Sequence, residues 1–305
     1  MHRLASSPLE FMPDGRRWPA HAQSQLAVMW HVLSRHVKKY LGWPATPDAA
    51  VLIDMVAALK AATEEALGAT QNVTAAVLVG PDGVRLTAEE TDDVLEFLGV
   101  RNLMRDGADD WTYRWENGNL FAAGAAWAGI GKGLCKSYLD GEKCAKEEGK
   151  MATKRVLVVE YTLNGLSLAA DDVTTAQPGP RRRAMDRTAT NWDLGFGQTK
   201  DQKYWDTVQR FVRDFVEKSE IGKVDEVVLT GESAGDGRFK EAVKEGLGTS
   251  VSSKSVLKKL AKEPEKDPLY VVALGAAEIA KRKQEGMGRC VREKGSCKPK
   301  ARDEL

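Results

Sequence analysis

Nowhere in its 305 residues does the chain hold an uninterrupted apolar run long enough for a membrane-spanning helix, so no such span is expected. Charge of one sign is also missing. Lys and Arg number 45 against 44 Asp and Glu, a net charge of +1, which carries no general signature of a nucleic-acid or acidic-surface partner. Histidine is scarce: His31 and His36 are spaced so that one helix face would not hold both, and His2 and His21 lie far from the cysteines. The cysteines number four, Cys135 with Cys144 and Cys290 with Cys297. Their separations exceed those of the close pairs that structural zinc takes, so no metal site is expected from cysteine or histidine. Met1 to Pro19 contains no apolar core of the signal-peptide kind. No internal repeat of solenoid length is visible.

What is present suits a folded chain with 42% hydrophobic residues, able to bury a sizeable core as one bilobed unit or two subdomains. Helices are expected around Leu26 to Leu41 and over Asp48 to Leu67, and a strand over Val73 to Val79. A further helix, Thr87 to Leu98, opens on the capping box Thr87-x-x-Glu90 and carries Val94, Leu95 and Leu98 on one face. Arg155 to Leu168 has the form of a hairpin turning at Asn164-Gly165. Trp205, Val208, Phe211, Val212 and Phe215 recur at helical spacing within Trp205 to Lys218. The apolar, β-branched run Val227 to Leu229 leads into Gly231 and then a helix over Phe239 to Leu247. Asp171 to Gln198, with three arginines at 181–183, reads as a solvated extended loop or hairpin. Gly129-Ile130-Gly131-Lys132-Gly133 lacks the Gly-Lys-Ser/Thr ending of a P-loop and reads as a flexible connection.

The pairing of Gly231-Glu232-Ser233-Ala234 after a buried strand with Gly275-Ala276-Ala277 in a later helix resembles the adenosine-binding end of the seventy-kilodalton heat-shock chaperone family. The resemblance runs from about residue 50 to 284, through the Val73 strand, Gly99 to Met104, Leu120 to Ala126 and the Arg155 to Leu168 hairpin. It implies an α/β chain of the actin-like ATPase (ribonuclease H-like) fold, with the second lobe and part of the first. On that basis residues 1–70 would be a helical remnant of the first lobe, and 71–150 its end with the inter-lobe helix. Residues 151–285 would be the second lobe, and 286–305 a mobile tail.

The same resemblance places the second phosphate loop at Glu160, Thr162, Asn164 and Gly165, and the adenosine side at Gly231, Glu232, Ser233, Arg238 and Gly275. It makes ATP or ADP the implied ligand, with Arg238 stacked on the base through its planar guanidinium. Departures are equally specific. The family's run of three glycines, which lets backbone N–H groups crowd around phosphate, is reduced here to Gly165. Glu160 stands where the family has Asp, and a longer carboxylate displaces Mg²⁺ from its near-ideal octahedron. Glu232 replaces a glycine beside the nucleotide. No segment resembles the family's first phosphate loop, of the Asp-Leu-Gly-Thr-Thr type, or its peptide-binding domain. Bound Mg²⁺ and ATP hydrolysis are therefore not expected of the chain as written, and no catalytic residue is assigned. The leading expectation is a degenerate chaperone-like module that binds nucleotide weakly or acts through a protein partner. The alternatives are an active actin-like ATPase with a longer N-terminus, and a scaffold that kept only the fold.

The two local cysteine pairs are compatible with two disulfides. Arg302-Asp303-Glu304-Leu305 is close to the Lys-Asp-Glu-Leu address, and Asn72-Val73-Thr74 is a glycosylation sequon. Together they favour the lumen of the endoplasmic reticulum or the secretory pathway, with the cytoplasm as the alternative.

Overall fold

The computed structural model describes residues 9–11, 17–19, 25–68, 71–80, 88–105, 120–176, 187–198, 201–218, 222–260, 266–286, 290–293 and 296–299. The chain divides into two compact units, residues 1–80 with 84–120, and 81–83 with 121–305. The architecture is mixed α/β, and no helix among the described residues is long and apolar enough to cross a membrane.

In the first unit β1 (Leu9–Phe11) pairs antiparallel with β2 (Arg17–Pro19). They are followed by α1 (Gln25–Tyr40) and α2 (Pro47–Leu67). Helix α2 starts where its sequence dictates: the Thr46 hydroxyl accepts from Ala49 N at 3.0 Å and Pro47 opens the first turn. Strand β3 (Ala75–Ala76), helix α3 (Ala88–Phe97) and strand β4 (Arg101–Asn102) make a small parallel βαβ unit. The strand expected over Val73 to Val79 thus pairs at two residues, with one more bridge from Val79 to Leu120. Thr87 of the expected capping box lies outside the described residues. Ala49, Leu52 and Ile53 pack on Val94. Beside them the buried Arg35 pairs with Asp93, also buried, and with Glu89 at 2.8 Å, tying α1 to α3.

The second unit is built on a four-stranded sheet. After α4 (Ala122–Gly129) and α5 (Gly141–Glu148), β5 (Lys154–Tyr161) and β6 (Leu166–Val173) form the expected hairpin, in register from Lys154↔Val173 to Tyr161↔Leu166. Strand β7 (Thr188–Asn191) continues the antiparallel meander. The chain then passes through α6 (Gln202–Lys218) to β8 (Glu226–Thr230), which lies parallel to β5 on its other side. The strand order is β7-β6-β5-β8, and a parallel bridge from Val224 to Val251 extends it beyond β8. Helices α7 (Gly237–Leu247), α8 (Lys254–Leu260) and α9 (Val271–Glu285) complete the unit, followed by the hairpin β9 (Cys290–Glu293) and β10 (Ser296–Pro299).

Val156 to Val159 of β5 are all buried, as a strand covered on both faces requires. Side chains alternate along a strand, so Leu157, Val159 and Tyr161 share one face. There they meet Trp205, Val208, Val212 and Phe215 of α6 and Phe239, Val243 and Leu247 of α7. The helical spacing in the sequence therefore marks the buried stripe of α6. Helix α4 is buried at every position, and it is made of Ala and Gly apart from Trp127. Such small residues permit close approach: a Cβ on Gly275 would stand 1.8 Å from the Ala125 carbonyl oxygen, and one on Gly129 would stand 1.9 Å from that of Val271.

Gly129 is thus a packing residue, and the segment that follows it is held too. Ala176 N donates to Gly133 O at 2.7 Å, and a Cβ on Gly133 would strike Trp127 at 2.3 Å. The freedom expected of this glycine-rich stretch is absent at both positions because tertiary contacts use the missing side chains.

Asp172 accepts from Arg155 Nε at 2.9 Å and from Arg187 Nη1 at 2.8 Å. Partial burial works to raise its carboxyl, but these hydrogen bonds outweigh it and hold the group below its ordinary range. A depressed folded-state value stabilises the fold above the unfolded pKa, near 3.9 for Asp, and that stability is lost as pH falls through the folded value. Asp172→Asn is expected to flatten the Tm-against-pH curve below about pH 4 relative to the parent protein. An unchanged acid limb would show that Asp172 carries none of it.

Candidate functional site

Seven of the residues to which the family resemblance assigns phosphate and adenosine contacts, Glu160, Thr162, Asn164, Gly165, Gly231, Glu232 and Ser233, lie where β5 turns into β6 beside the end of β8. At the turn, Thr162 N donates to Gly165 O at 3.0 Å, and Asn164 N donates to Thr162 Oγ1 at 3.3 Å. The remaining amide of the turn apex, Leu163 N, donates to Glu232 Oε1 at 2.7 Å. That bond links residues 69 apart in sequence, and its charged acceptor makes it stronger than a neutral pair. Residues 195–197 fold over the same turn, with Phe196 N donating to Thr162 O at 2.9 Å and Gly197 N to Leu163 O at 3.1 Å. Gly195 is required there because a Cβ would lie 2.3 Å from Leu163 O. A Cβ on Gly165 would press on Trp192 and Asn191 at 3.1 to 3.2 Å.

On the β8 side, Gly231 has φ +98°, a left-handed conformation that favours glycine. Its missing Cβ would stand 2.4 Å from Tyr161 O, and its N–H donates to Pro268 O at 3.2 Å. Ser233 N donates to Tyr161 O at 3.2 Å, so both residues seal the end of β5. The Glu232 side chain between them turns outward and back to the hairpin. Glu160 pairs with Ser167 and Thr230 in the sheet register, one residue before Tyr161.

Arg238 and Gly275 take other positions. The Arg238 guanidinium lies 5.6 Å from the Trp205 ring centroid and donates to Gln202 Oε1 at 3.4 Å, so the planar group expected against a base rests on α6. Gly275 is enclosed by α4. No protein-family model matches this chain, and no curated protein matches it.

Sequence reasoning did not single out Tyr161 or the 192–197 segment. Tyr161 is fully buried, stacks on Phe239 with ring centroids 4.0 Å apart, and meets the Tyr204 hydroxyl at 2.9 Å. Tyr204 in turn donates to the carbonyls of Leu194 and Gly195 at 3.0 and 3.1 Å. Burial pushes the Tyr161 hydroxyl well above the ordinary phenol range, with the Tyr204 hydrogen bond adding to it. A neutral phenol of this kind serves as a structural strut. The glycines at 195 and 197 were the available signal for the wrapping segment.

A phosphate tail with its metal does not fit the turn as it stands. The amides of Thr162, Leu163 and Asn164 donate to Gly165 O, Glu232 and Thr162, and the Glu232 carboxylate at the turn repels an anion.

The second feature of note is the Cys135–Cys144 disulfide, with Cα atoms 5.2 Å apart. Disulfides of this kind persist in oxidising compartments. Arg282 of α9 is buried, donates to Cys135 O at 2.5 Å, and lies 4.6 Å from the Tyr138 ring centroid, docking the disulfide loop onto α9. In the β9–β10 hairpin Cys290 is opposite Pro299 and Cys297 opposite Arg292. The expected pairing of those two cysteines concerns side chains outside the described residues.

Proposed function

We propose that this chain is a catalytically silent, chaperone-like module of actin-like architecture, which binds adenine nucleotide weakly and without Mg²⁺ or acts through a protein partner. The observation that carries the reading is the Glu232 carboxylate on Leu163 N, an anion supplied by the protein where the family resemblance puts phosphate. The strand order supports the architecture: an antiparallel three-strand meander whose first strand also pairs in parallel with a fourth. Gly231 closing on Tyr161 supports the adenosine-side assignment. The disulfide and the exposed Asn72 of the sequon support a setting in the lumen of the endoplasmic reticulum or elsewhere in the secretory pathway.

Calorimetric titration of the chain with ATP and ADP, with and without Mg²⁺, tests the reading. Weak binding that Mg²⁺ leaves unchanged is the expected result, and tight Mg²⁺-dependent binding would favour an active ATPase instead. Glu232→Gly frees the Leu163 amide and removes a negative charge. It is expected to tighten nucleotide binding about tenfold, the effect of roughly 1.4 kcal/mol from one charge-assisted hydrogen bond. No heat from either protein up to millimolar nucleotide would leave the scaffold reading in its place.

A further inference from the structure

Cys144 and Glu148 are one helical turn apart on α5 and so share a face. Helix α5 is capped at its start by Asp140, whose carboxylate accepts from Lys143 N at 3.0 Å, and the disulfide holds the Cys144 side of the helix against Cys135. The Glu148 carboxylate is partly buried, and Oε1 sits 3.6 Å from Cys144 Sγ. A disulfide sulfur has no proton to give, and among the described residues no N–H or O–H donates to this carboxylate. A structural disulfide has no need of a desolvated acid against it.

We propose that, when the Cys135–Cys144 disulfide is reduced, Cys135, Cys144 and Glu148 form a binding site for a thiophilic divalent cation of the zinc class. The two sulfurs and a carboxylate oxygen already lie within 4.8 Å of one another. Tetrahedral zinc, with metal–sulfur bonds of about 2.3 Å and metal–oxygen bonds of about 2.0 to 2.2 Å, sets its ligand atoms about 3.5 to 3.8 Å apart. The Cys144–Glu148 separation of 3.6 Å meets that spacing as it stands. The sulfurs reach it by side-chain rotation, since Cα atoms 5.2 Å apart suit a chelating pair. Two thiolates and a carboxylate make a strongly anionic set. The cation offsets most of it, and the Arg282 guanidinium, which acts on Glu148 and holds Cys135 O, offsets part of the rest. Three protein ligands leave the fourth position to water.

The wide spacing of the cysteines argues against a zinc knuckle, but the third ligand comes from the helix and not from a second close pair. The disulfide and the metal-loaded dithiolate are therefore alternative closed states of the 135–144 loop. The conversion needs a dithiol reductant. Its thiolate attacks one cysteine sulfur, the other cysteine leaves as thiolate, and the second reductant thiol resolves the mixed disulfide. Two electrons and two protons pass from the dithiol, which ends as a disulfide. The cation then displaces two thiol protons.

The test uses the full chain in a Cys290→Ser/Cys297→Ser background, oxidised or reduced and then freed of reductant, titrated with Co²⁺ and afterwards with Zn²⁺. The reduced protein is expected to give a thiolate-to-cobalt charge-transfer band saturating at one equivalent and abolished by Zn²⁺. The oxidised protein is expected to give none. Glu148→Gln, checked for a native circular dichroism spectrum and for a disulfide that still forms, is expected to bind at least tenfold more weakly. Absence of the band in the reduced protein overturns the site. An equal band in a Cys135→Ser/Cys144→Ser variant overturns it too, and undiminished affinity in Glu148→Gln removes the carboxylate from it.

Discussion

Gly275→Ala is expected to lower the stability of the second unit by about 3 kcal/mol, at the upper end of overpacking costs, or to prevent its folding. The added methyl would sit 1.8 Å from the Ala125 carbonyl oxygen, 2.6 Å from Gly129 N and 2.8 Å from the Ala125 carbonyl carbon. All three are backbone atoms of α4, so no side chain can rotate away and the two helices must part. In a unit of this size the loss reads as a fall in Tm of roughly 6 to 12 °C. Gly129→Ala meets Val271 O from the opposite direction and should cost a similar amount. Once either methyl has forced α4 and α9 apart the other meets less resistance, so the double variant should lose clearly less than the sum. Gly237→Ala is the control, since nothing lies within 4 Å of a Cβ at the start of α7. Equal Tm values for Gly275→Ala and Gly237→Ala would show that the close helix approach is not needed.

Tyr161→Ala is expected to cost about 3 to 5 kcal/mol, the range for removing a fully buried aromatic side chain. The variant loses the stacked contact with Phe239 and the edge contact with Phe196, whose ring centroid is 5.9 Å away. Tyr161→Phe separates the hydroxyl from the ring. It gives up only the hydrogen bond to Tyr204 and should cost about 1 kcal/mol. The local consequence is as telling as the global one. Phe196 N closes the hairpin turn, so in Tyr161→Ala the amides of Leu163 and Phe196 should exchange with solvent faster than the strand amides of β5. Denaturant unfolding and hydrogen exchange read the two effects separately. A loss below about 1 kcal/mol in the Ala variant would mean that the cavity collapses and that Tyr161 is no strut.

Elements whose signal is local were legible in the sequence. The buried stripe of α6 follows from Trp205, Val208, Val212 and Phe215, and the β5–β6 hairpin follows from an apolar run broken by Asn164-Gly165. The candidate site was legible only by half. Glu232 stood out as bulk and charge in the wrong place, but its partner, Leu163 N, is 69 residues away and no local pattern announces it. Arg238 has the right chemistry for a base, yet whether it meets a base or Trp205 is decided by the placement of α6. Glycine was the least readable residue. Gly165, Gly195 and Gly275 are all needed for close approach, but the groups approached belong to other elements. For the same reason Gly129 and Gly133 looked free in sequence and are pinned in the structure. Glu148 drew no notice because an isolated acid on a short charged helix is ordinary until the fold lays it against a disulfide.

Helix α4 has no polar face, and its closing partner α9 is encoded far downstream. During synthesis the stretch from Ala122 to Gly129 emerges well before Val271 to Glu285 exists, a delay on the order of ten seconds at common elongation rates. Throughout that interval an apolar, Ala-rich helix has one side of its seat missing. The nascent chain is therefore most vulnerable to off-pathway association after the β5–β6 hairpin has formed and before its last helix leaves the ribosome. Ribosome-bound intermediates ending before residue 271 are where holding by a folding helper would matter most.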